Sequence, residues 1–216
     1  MKATNLKPYY QDGSVTIYHG DSREIVPQLG RFDLLLTDPP YGMNFQSNYR
    51  KQKHKKIAGD DKLDTEFIAK LISLADFAAY VFCRWDNLHE MPKPKSVLAW
   101  IKDNWSMGDL KHEHGRQWEA CCFYPMEKHE FKKRIPDVIK ARRTGNNLHP
   151  TEKPVDLMIQ LIDCNQAETI LDPFAGSGTT GRAAKDLGKK ATLIEMEESY
   201  CEVAAKRMEQ ECFNFE

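Results

Sequence analysis

The stretch that decides the fold is Thr169-Ile170-Leu171-Asp172-Pro173-Phe174-Ala175-Gly176-Ser177-Gly178-Thr179-Thr180, TILDPFAGSGTT. A short apolar strand ends on an acid, and two glycines stand where that strand turns into a helix. Without a Cβ at Gly176 and Gly178, a ligand can approach the backbone closely. The helix runs to about Leu187, and the strand ATLIE and a helix from about Ser199 to Glu211 complete a β-loop-α-β-α unit. Glu195 ends the second strand, 23 residues after Asp172, about where an acid reaches ribose hydroxyls in dinucleotide folds. The loop has neither the GK[ST] ending of a P-loop nor a full GxGxxG, so phosphate is not strongly indicated. For the GxG alone, a tight turn using glycine for packing is an equal alternative; Asp172 and Glu195 tilt the reading towards a nucleoside ligand.

Upstream, PVDLMIQLI is an amphipathic helix opened by Pro154. Near the start, VTIYHGD reads as a strand ending at Asp21, followed by a helix over Ser22 to Leu29. FDLLLTDPPYG then carries a continuous apolar run, Leu34 to Leu36, as in a parallel-sheet strand buried on both faces. Further on, TEFIAKLISLADFA has helical spacing, AYVFCRW and SVLAWIKD read as buried strands, and Glu119 to Tyr124 as one more. Residues 104–148 otherwise show poor periodicity.

Asp38-Pro39-Pro40-Tyr41 follows directly on a buried strand, at the sheet edge where open α/β folds bind ligands. Two prolines supply no N–H donors, which leaves the Pro39 carbonyl and the Asp38 carboxylate as adjacent acceptors. An exocyclic amino group on a nucleobase offers two N–H donors, and its lone pair is delocalised into the ring. Two acceptors would bias that nitrogen towards tetrahedral geometry and stabilise the positive charge it gains in attack, while Tyr41 stacks on the base. The alternative is an extended turn in which Asp38 caps backbone N–H groups.

DPPY after a strand, HPTEKP (149–154) before a helix, and LDPFAGSGTT with a downstream acid together resemble the β-class amino DNA methyltransferases that use S-adenosyl-L-methionine. The resemblance covers about Thr16 to Met208 in that family's permuted order, with the catalytic half first. It implies an α/β fold, a doubly wound and mostly parallel seven-stranded Rossmann-like sheet with one antiparallel strand. It implies Asp38, Pro39, Pro40 and Tyr41 as the catalytic set. For the cofactor it implies Asp38 together with Asp172, Pro173, Phe174, Ala175, Gly176, Ser177, Gly178, Thr179 and Thr180 along the methionine portion. Glu195 would bind the ribose, Asp21 the adenine, and Thr151 and Lys153 the methionine carboxylate; an exposed charge before a helix is an equal reading for Lys153. Asp in the first motif position favours adenine N6 over cytosine N4, although the motif's chemistry serves either. Glu152 stands where glutamine is frequent, and only a slight electrostatic change is expected. The small size and the absence of a large recognition region resemble phage or prophage enzymes.

A duplex adenine must be flipped out to reach such a site. The candidate backbone contacts are Arg50, Lys51, Lys53, Lys55 and Lys56 in a basic loop over 43–61, and Lys132, Lys133, Arg134, Lys140, Arg142 and Arg143 within 104–148. An ordinary solvated face is the alternative for both runs.

Composition narrows the rest. With 216 residues, 41% hydrophobic, the chain suits one domain over 1–216, and 31 basic against 32 acidic residues leave DNA binding to local clusters. No apolar run approaches a membrane span and the start lacks a secretory pattern, so a cytoplasmic protein is expected. Six cysteines without CxxC spacing read as packed thiols, and His112 and His114 as surface residues, so no metal is expected. The leading expectation is a DNA adenine-N6 methyltransferase. Cytosine-N4 or RNA-adenine methylation, a protein glutamine acceptor, and a non-catalytic cofactor- or DNA-binding subunit remain alternatives. A homodimer is compatible with the resemblance, and an accompanying restriction enzyme stays open.

Overall fold

The computed structural model describes residues 6–42, 63–105, 110–144 and 152–210. They form one mixed sheet of nine strands. In chain order these are β1 (Tyr10–Gln11), β2 (Val15–His19), β3 (Phe32–Thr37), β4 (Ala75–Cys83), β5 (Ser96–Ile101), β6 (Trp118–Pro125), β7 (Val138–Lys140), β8 (Thr169–Asp172) and β9 (Lys190–Glu195). The spatial order is β1-β2-β9-β8-β3-β4-β6-β5-β7. Its central seven strands match the expected sheet: all run parallel except β6, which is antiparallel to both β4 and β5. The two extra strands are edge pieces, β1 antiparallel to β2 and β7 parallel to β5. β7 escaped the sequence reading because three residues amid basic neighbours carry no period.

Among the described residues five α-helices flank the sheet: α1 (Ser22–Ile25), α2 (Thr65–Ile72), α3 (Val155–Asp163), α4 (Thr179–Asp186) and α5 (Glu198–Glu209). The continuous apolar run of β3 has its physical cause here. Leu34 and Leu36 face a core built with Leu157, Leu161, Ala183 and Ala204 from α3, α4 and α5. Leu35 faces the other core, with Ile25, Phe67, Ile68 and Leu71 from α1 and α2. Period-2 alternation is hidden when both faces are covered.

Two expected boundaries shift. The first helix ends at Ile25, and Val26–Gln28 tighten into a 3₁₀ turn, because Pro27 has no N–H with which to continue the ladder. The helix read into LADFA stops at Ile72, and Ala75 already pairs with Phe32 in the sheet. The Arg31 guanidinium fastens that junction by donating to the carbonyls of Ser73 and Ala75. The pairing gained by β4 overrides the helical spacing of its first residues.

β3 and β8 are parallel neighbours, with Leu34 opposite Ile170 and Leu35 opposite Leu171. From β8 the chain winds on to β9 on one side, and from β3 to β4 on the other. Their carboxyl ends therefore frame the crevice where the strand order reverses, the ligand position of open α/β sheets. Among the described residues no helix is long and apolar enough to cross a membrane.

Candidate active site

The loop after β8 is held from three sides. Asp172 is buried and accepts hydrogen bonds from the Thr37 hydroxyl (2.8 Å), the Thr180 hydroxyl (2.6 Å) and the Phe174 N–H (3.2 Å). Burial lifts its carboxyl to about 6 even so, because hydroxyl and amide dipoles replace water only in part. The Ser22 hydroxyl at the start of α1 donates to the Pro173 carbonyl over 2.6 Å. Gly176 and Gly178 have φ of +51° and +77°, so both are needed for the turn. Gly178 serves packing as well, since a Cβ there would lie 2.8 Å from the Ala204 Cβ of α5. The packing reading of the GxG is thus correct for Gly178, without excluding a ligand at the loop's open side.

Glu195 closes β9 beside this loop. One carboxylate oxygen accepts from the Gly176 N–H (2.8 Å) and the other from the Glu197 N–H (2.8 Å), and burial raises the carboxyl above its usual range. With about four lone-pair sites, the carboxylate keeps capacity for a hydroxyl donor. His19 pairs with Glu195 across β2 and β9, which sets the HGD turn next to it. Asp21 there accepts from the Arg23 N–H (2.8 Å) and caps α1, with about a third of its side chain open to solvent.

Under the loop lies an ion pair that the sequence reading undervalued. Arg207 of α5 reaches Glu152 Oε1 at 2.9 Å and also donates to the Ser177 carbonyl (3.3 Å) and the hydroxyls of Ser177 and Thr179 (3.2 Å each). Only 4% of the Glu152 side chain and 13% of Arg207 are exposed. The slight electrostatic role expected for Glu152 is therefore corrected: it is the buried counter-ion of the residue that braces the glycine loop.

At the end of β3, Tyr41 donates its hydroxyl to Asp38 Oδ1, and the Asn87 side chain donates to the Tyr41 carbonyl at 2.9 Å. Lys153 pairs with Asp38 Oδ2. It is 5% exposed, so the reading of an exposed charge is set aside, and its ammonium addresses carboxylates of the protein itself. The second carboxylate is Glu119 of β6, whose Oε2 lies 3.3 Å from Lys153 Nζ, while Lys102 pairs with Oε1. The series Lys102–Glu119–Lys153–Asp38 thus alternates in charge and ends at the DPPY turn on the neutral Tyr41 hydroxyl.

Burial disfavours every charge in this series, and the neighbours decide the outcome. Asp38 is raised above the usual carboxylate range by burial and by Glu119, against the pull of Lys153 and Tyr41. Glu119 resists its own burial because Lys153 and Lys102 draw it down to about 2. Lys153 does likewise, lifted to about 12 by Asp38 and Glu119. Burial and Asp38 push the Tyr41 phenol well above 10, so it stays a neutral donor.

Lys132, Lys133, Arg134 and Lys140 are exposed, and Arg142 too. Lys132 pairs with Asp163 (2.6 Å) and Arg142 with Asp103 (3.3 Å), so part of this basic run is matched by acids within the chain. Arg143 is half-buried. Arg50, Lys51, Lys53, Lys55, Lys56 and Thr151 lie outside the described residues. The described cysteines Cys83, Cys121, Cys122, Cys164 and Cys201 are buried free thiols, as expected of packing residues. Sequence reasoning missed Glu119, Lys102, Thr37 and Arg207, because each is a polar residue in or beside an ordinary strand or helix. The only available signal was a lone acid at the start of an apolar strand.

Residues 86–206 match the family model described as DNA methylase, N6_N4_Mtase. The chain belongs to this family. The DNA methylase is 31% identical to the putative methylase YubD of Escherichia coli K12 over 82% of its own length and 81% of that protein. It is 26% identical to the type II methyltransferase M2.DpnII of Streptococcus pneumoniae, covering 95% and 93% of the two chains. Among solved structures it is similar to M1.HpyAVI in complex with SAM, with a TM-score of 0.69, 26% identity, and 89% and 99% of the two chains covered. The Rossmann-like methyltransferase fold and the permuted order of its parts follow.

Proposed function

We propose that this methylase transfers the methyl group of S-adenosyl-L-methionine to the N6 amino group of adenine in DNA, by direct in-line displacement on a base turned out of the helix. The observation that carries the reading is the junction of β3 and β8. Thr37 and Asp172 are hydrogen-bonded at 2.8 Å, and the next residue after Thr37 is Asp38. The acceptor for an amino group therefore stands beside the glycine loop that would hold the methyl donor.

The residues fit the donor. Glu195 has spare lone pairs for a ribose diol, and Asp21 stands by the same edge for the adenine. The loop Asp172 to Thr180 is backbone-rich, as suits the methionine portion. It has no lysine for phosphate, and the donor has none. S-adenosyl-L-methionine supplies an already activated methyl group, so the protein's work is alignment and exclusion of water. Asp38, with the Pro39 carbonyl, would hold the two amino hydrogens and stabilise charge gained at nitrogen, and Tyr41 would stack on the base. No covalent protein intermediate is needed, in keeping with described cysteines that are all buried. Lys133, Arg134 and Lys140, exposed, would contact phosphates, with Lys132, Arg142 and Arg143 secondary because of their pairing or burial; the basic run 50–56 is proposed for the same role. Asp at the first motif position favours adenine.

The test is incubation with unmethylated DNA and isotope-labelled S-adenosyl-L-methionine, followed by mass spectrometry of the released nucleosides. Labelled N6-methyladenine is expected. Labelled N4-methylcytosine would keep the mechanism and reverse the base assignment, and no label on DNA despite cofactor binding would overturn the reading.

A further inference from the structure

Both oxygens of Asp38 are engaged, Oδ1 by the Tyr41 hydroxyl and Oδ2 by the Lys153 ammonium. Each oxygen can accept a second donor, but an amino group entering at one of them competes with the donor already there. One step away, Glu119 Oε2 is buried, accepts no hydrogen bond, and lies 3.3 Å from Lys153 Nζ. The Lys153 ammonium is near enough to pair with this oxygen without being aligned on it as a full hydrogen bond, so a closer approach is open to it. We propose that Lys153 is a positioning residue: it stands in for the target's amino group at Asp38 Oδ2, and moves onto Glu119 Oε2 when that amino group enters. This rests on the methyl-transfer reading above.

The chemistry of the three groups supports the exchange. An ammonium on a flexible stem has three donors and turns between neighbouring acceptors with small side-chain rotations. Lys102 anchors the other oxygen of Glu119, so the receiving carboxylate is already fixed in place. Two cations and two anions balance before and after the move. Without Lys153, a buried Asp38 would face Glu119 with no cation between them. Without the Glu119 charge, Lys153 would have no second anion and would stay on Asp38, in competition with substrate. The other titratable groups facing Asp38 are Cys121 on β6, Cys83 on β4, Asp172 on β8 and Tyr41, all uncharged or unchanged by the exchange.

The proposal is tested by steady-state methylation of a DNA oligonucleotide by the full chain, over a range of pH. Glu119→Gln is expected to raise KM for DNA about tenfold with kcat little changed, as removal of ground-state release requires. Its acidic limb of kcat/KM should move to lower pH, whereas Lys153→Met should move that limb to higher pH. The double variant should return KM towards the parent value, since the competing ammonium is gone. Charge removal alone would move the two limbs in these opposite directions without any exchange, so KM decides: an unchanged KM in Glu119→Gln overturns the proposal. Should the variants not fold, a crystal structure of the parent chain with S-adenosylhomocysteine and an oligonucleotide decides: Lys153 Nζ on Glu119 is expected, and Lys153 Nζ still on Asp38 with a base bound overturns it. A parent chain that methylates no DNA removes the underlying reading, and the proposal with it.

Discussion

The Thr37 hydroxyl donates to Asp172 Oδ1 over 2.8 Å and so ties the last residue of β3 to the last residue of β8. The partners are 135 positions apart in the chain, yet this bond aligns the DPPY turn with the glycine loop. Both residues are fully buried, so the bond is shielded from water. Thr37→Val keeps the shape and removes the donor. It should cost about 1–3 kcal/mol in urea unfolding, and lower kcat/KM for methylation more than it lowers cofactor affinity.

Asp172 should make stability depend on pH. Its folded carboxyl sits at about 6, above the unfolded value of 3.8, so the protonated form favours folding. The contribution is therefore fully present below about 3.8 and is lost as pH rises through about 6. Asp172→Asn, neutral at every pH, should be more stable than the parent at pH 8 by about 1–3 kcal/mol, and by much less at pH 4. Thermal unfolding at the two pH values checks this, and a pH-independent difference would contradict it.

Arg207 and Glu152 form a buried pair, and removing one partner strands the other. Arg207→Met should cost about 3–5 kcal/mol of stability and weaken cofactor binding through the glycine loop. Glu152→Gln, which keeps an acceptor, should cost less, and the double variant should recover part of the loss. Urea melts and cofactor titration of the three variants measure the coupling.

Asp38→Ala should abolish methyl transfer while leaving cofactor binding largely intact, as measured by isotope transfer and by calorimetric titration of S-adenosyl-L-methionine. The reaction needs the carboxylate, and burial raises its carboxyl. Activity in the parent should therefore fall as pH drops, beginning above the ordinary carboxylate value of about 4. Full activity in the variant would refute the mechanism.

If the exposed Lys133, Arg134 and Lys140 contact phosphates, each alanine variant should reduce the slope of log K against log salt by about one. Filter binding at several salt concentrations gives the slopes. Unchanged slopes would leave these residues as a solvated face.

Much of the frame was legible in the sequence because it depends on local pattern. The run Leu34 to Leu36 announced a strand covered on both faces, and Gly176 and Gly178 announced a turn that only glycine tolerates. Acids and prolines at strand ends marked Asp38, Asp172 and Glu195. By contrast, β7 lacked the length for a period, and Ala75 changed from helix to strand only because Phe32 was there to pair with it. The weight of Lys153 was also unreadable, since a lysine before a helix is ordinarily exposed.

The sequence by itself determined the order of elements, the family, and the residues that end the central strands, since these follow from periodicity, turn chemistry and motif. Only the tertiary structure decided which of those ends meet. It set Asp172 against Thr37, Arg207 beneath the glycine loop, and Lys102, Glu119 and Lys153 in line with Asp38. The physical reason is that burial turns isolated charges into obligate partners. A charged side chain in the sequence carries no mark of its counter-ion until the sheet closes and withdraws both from water.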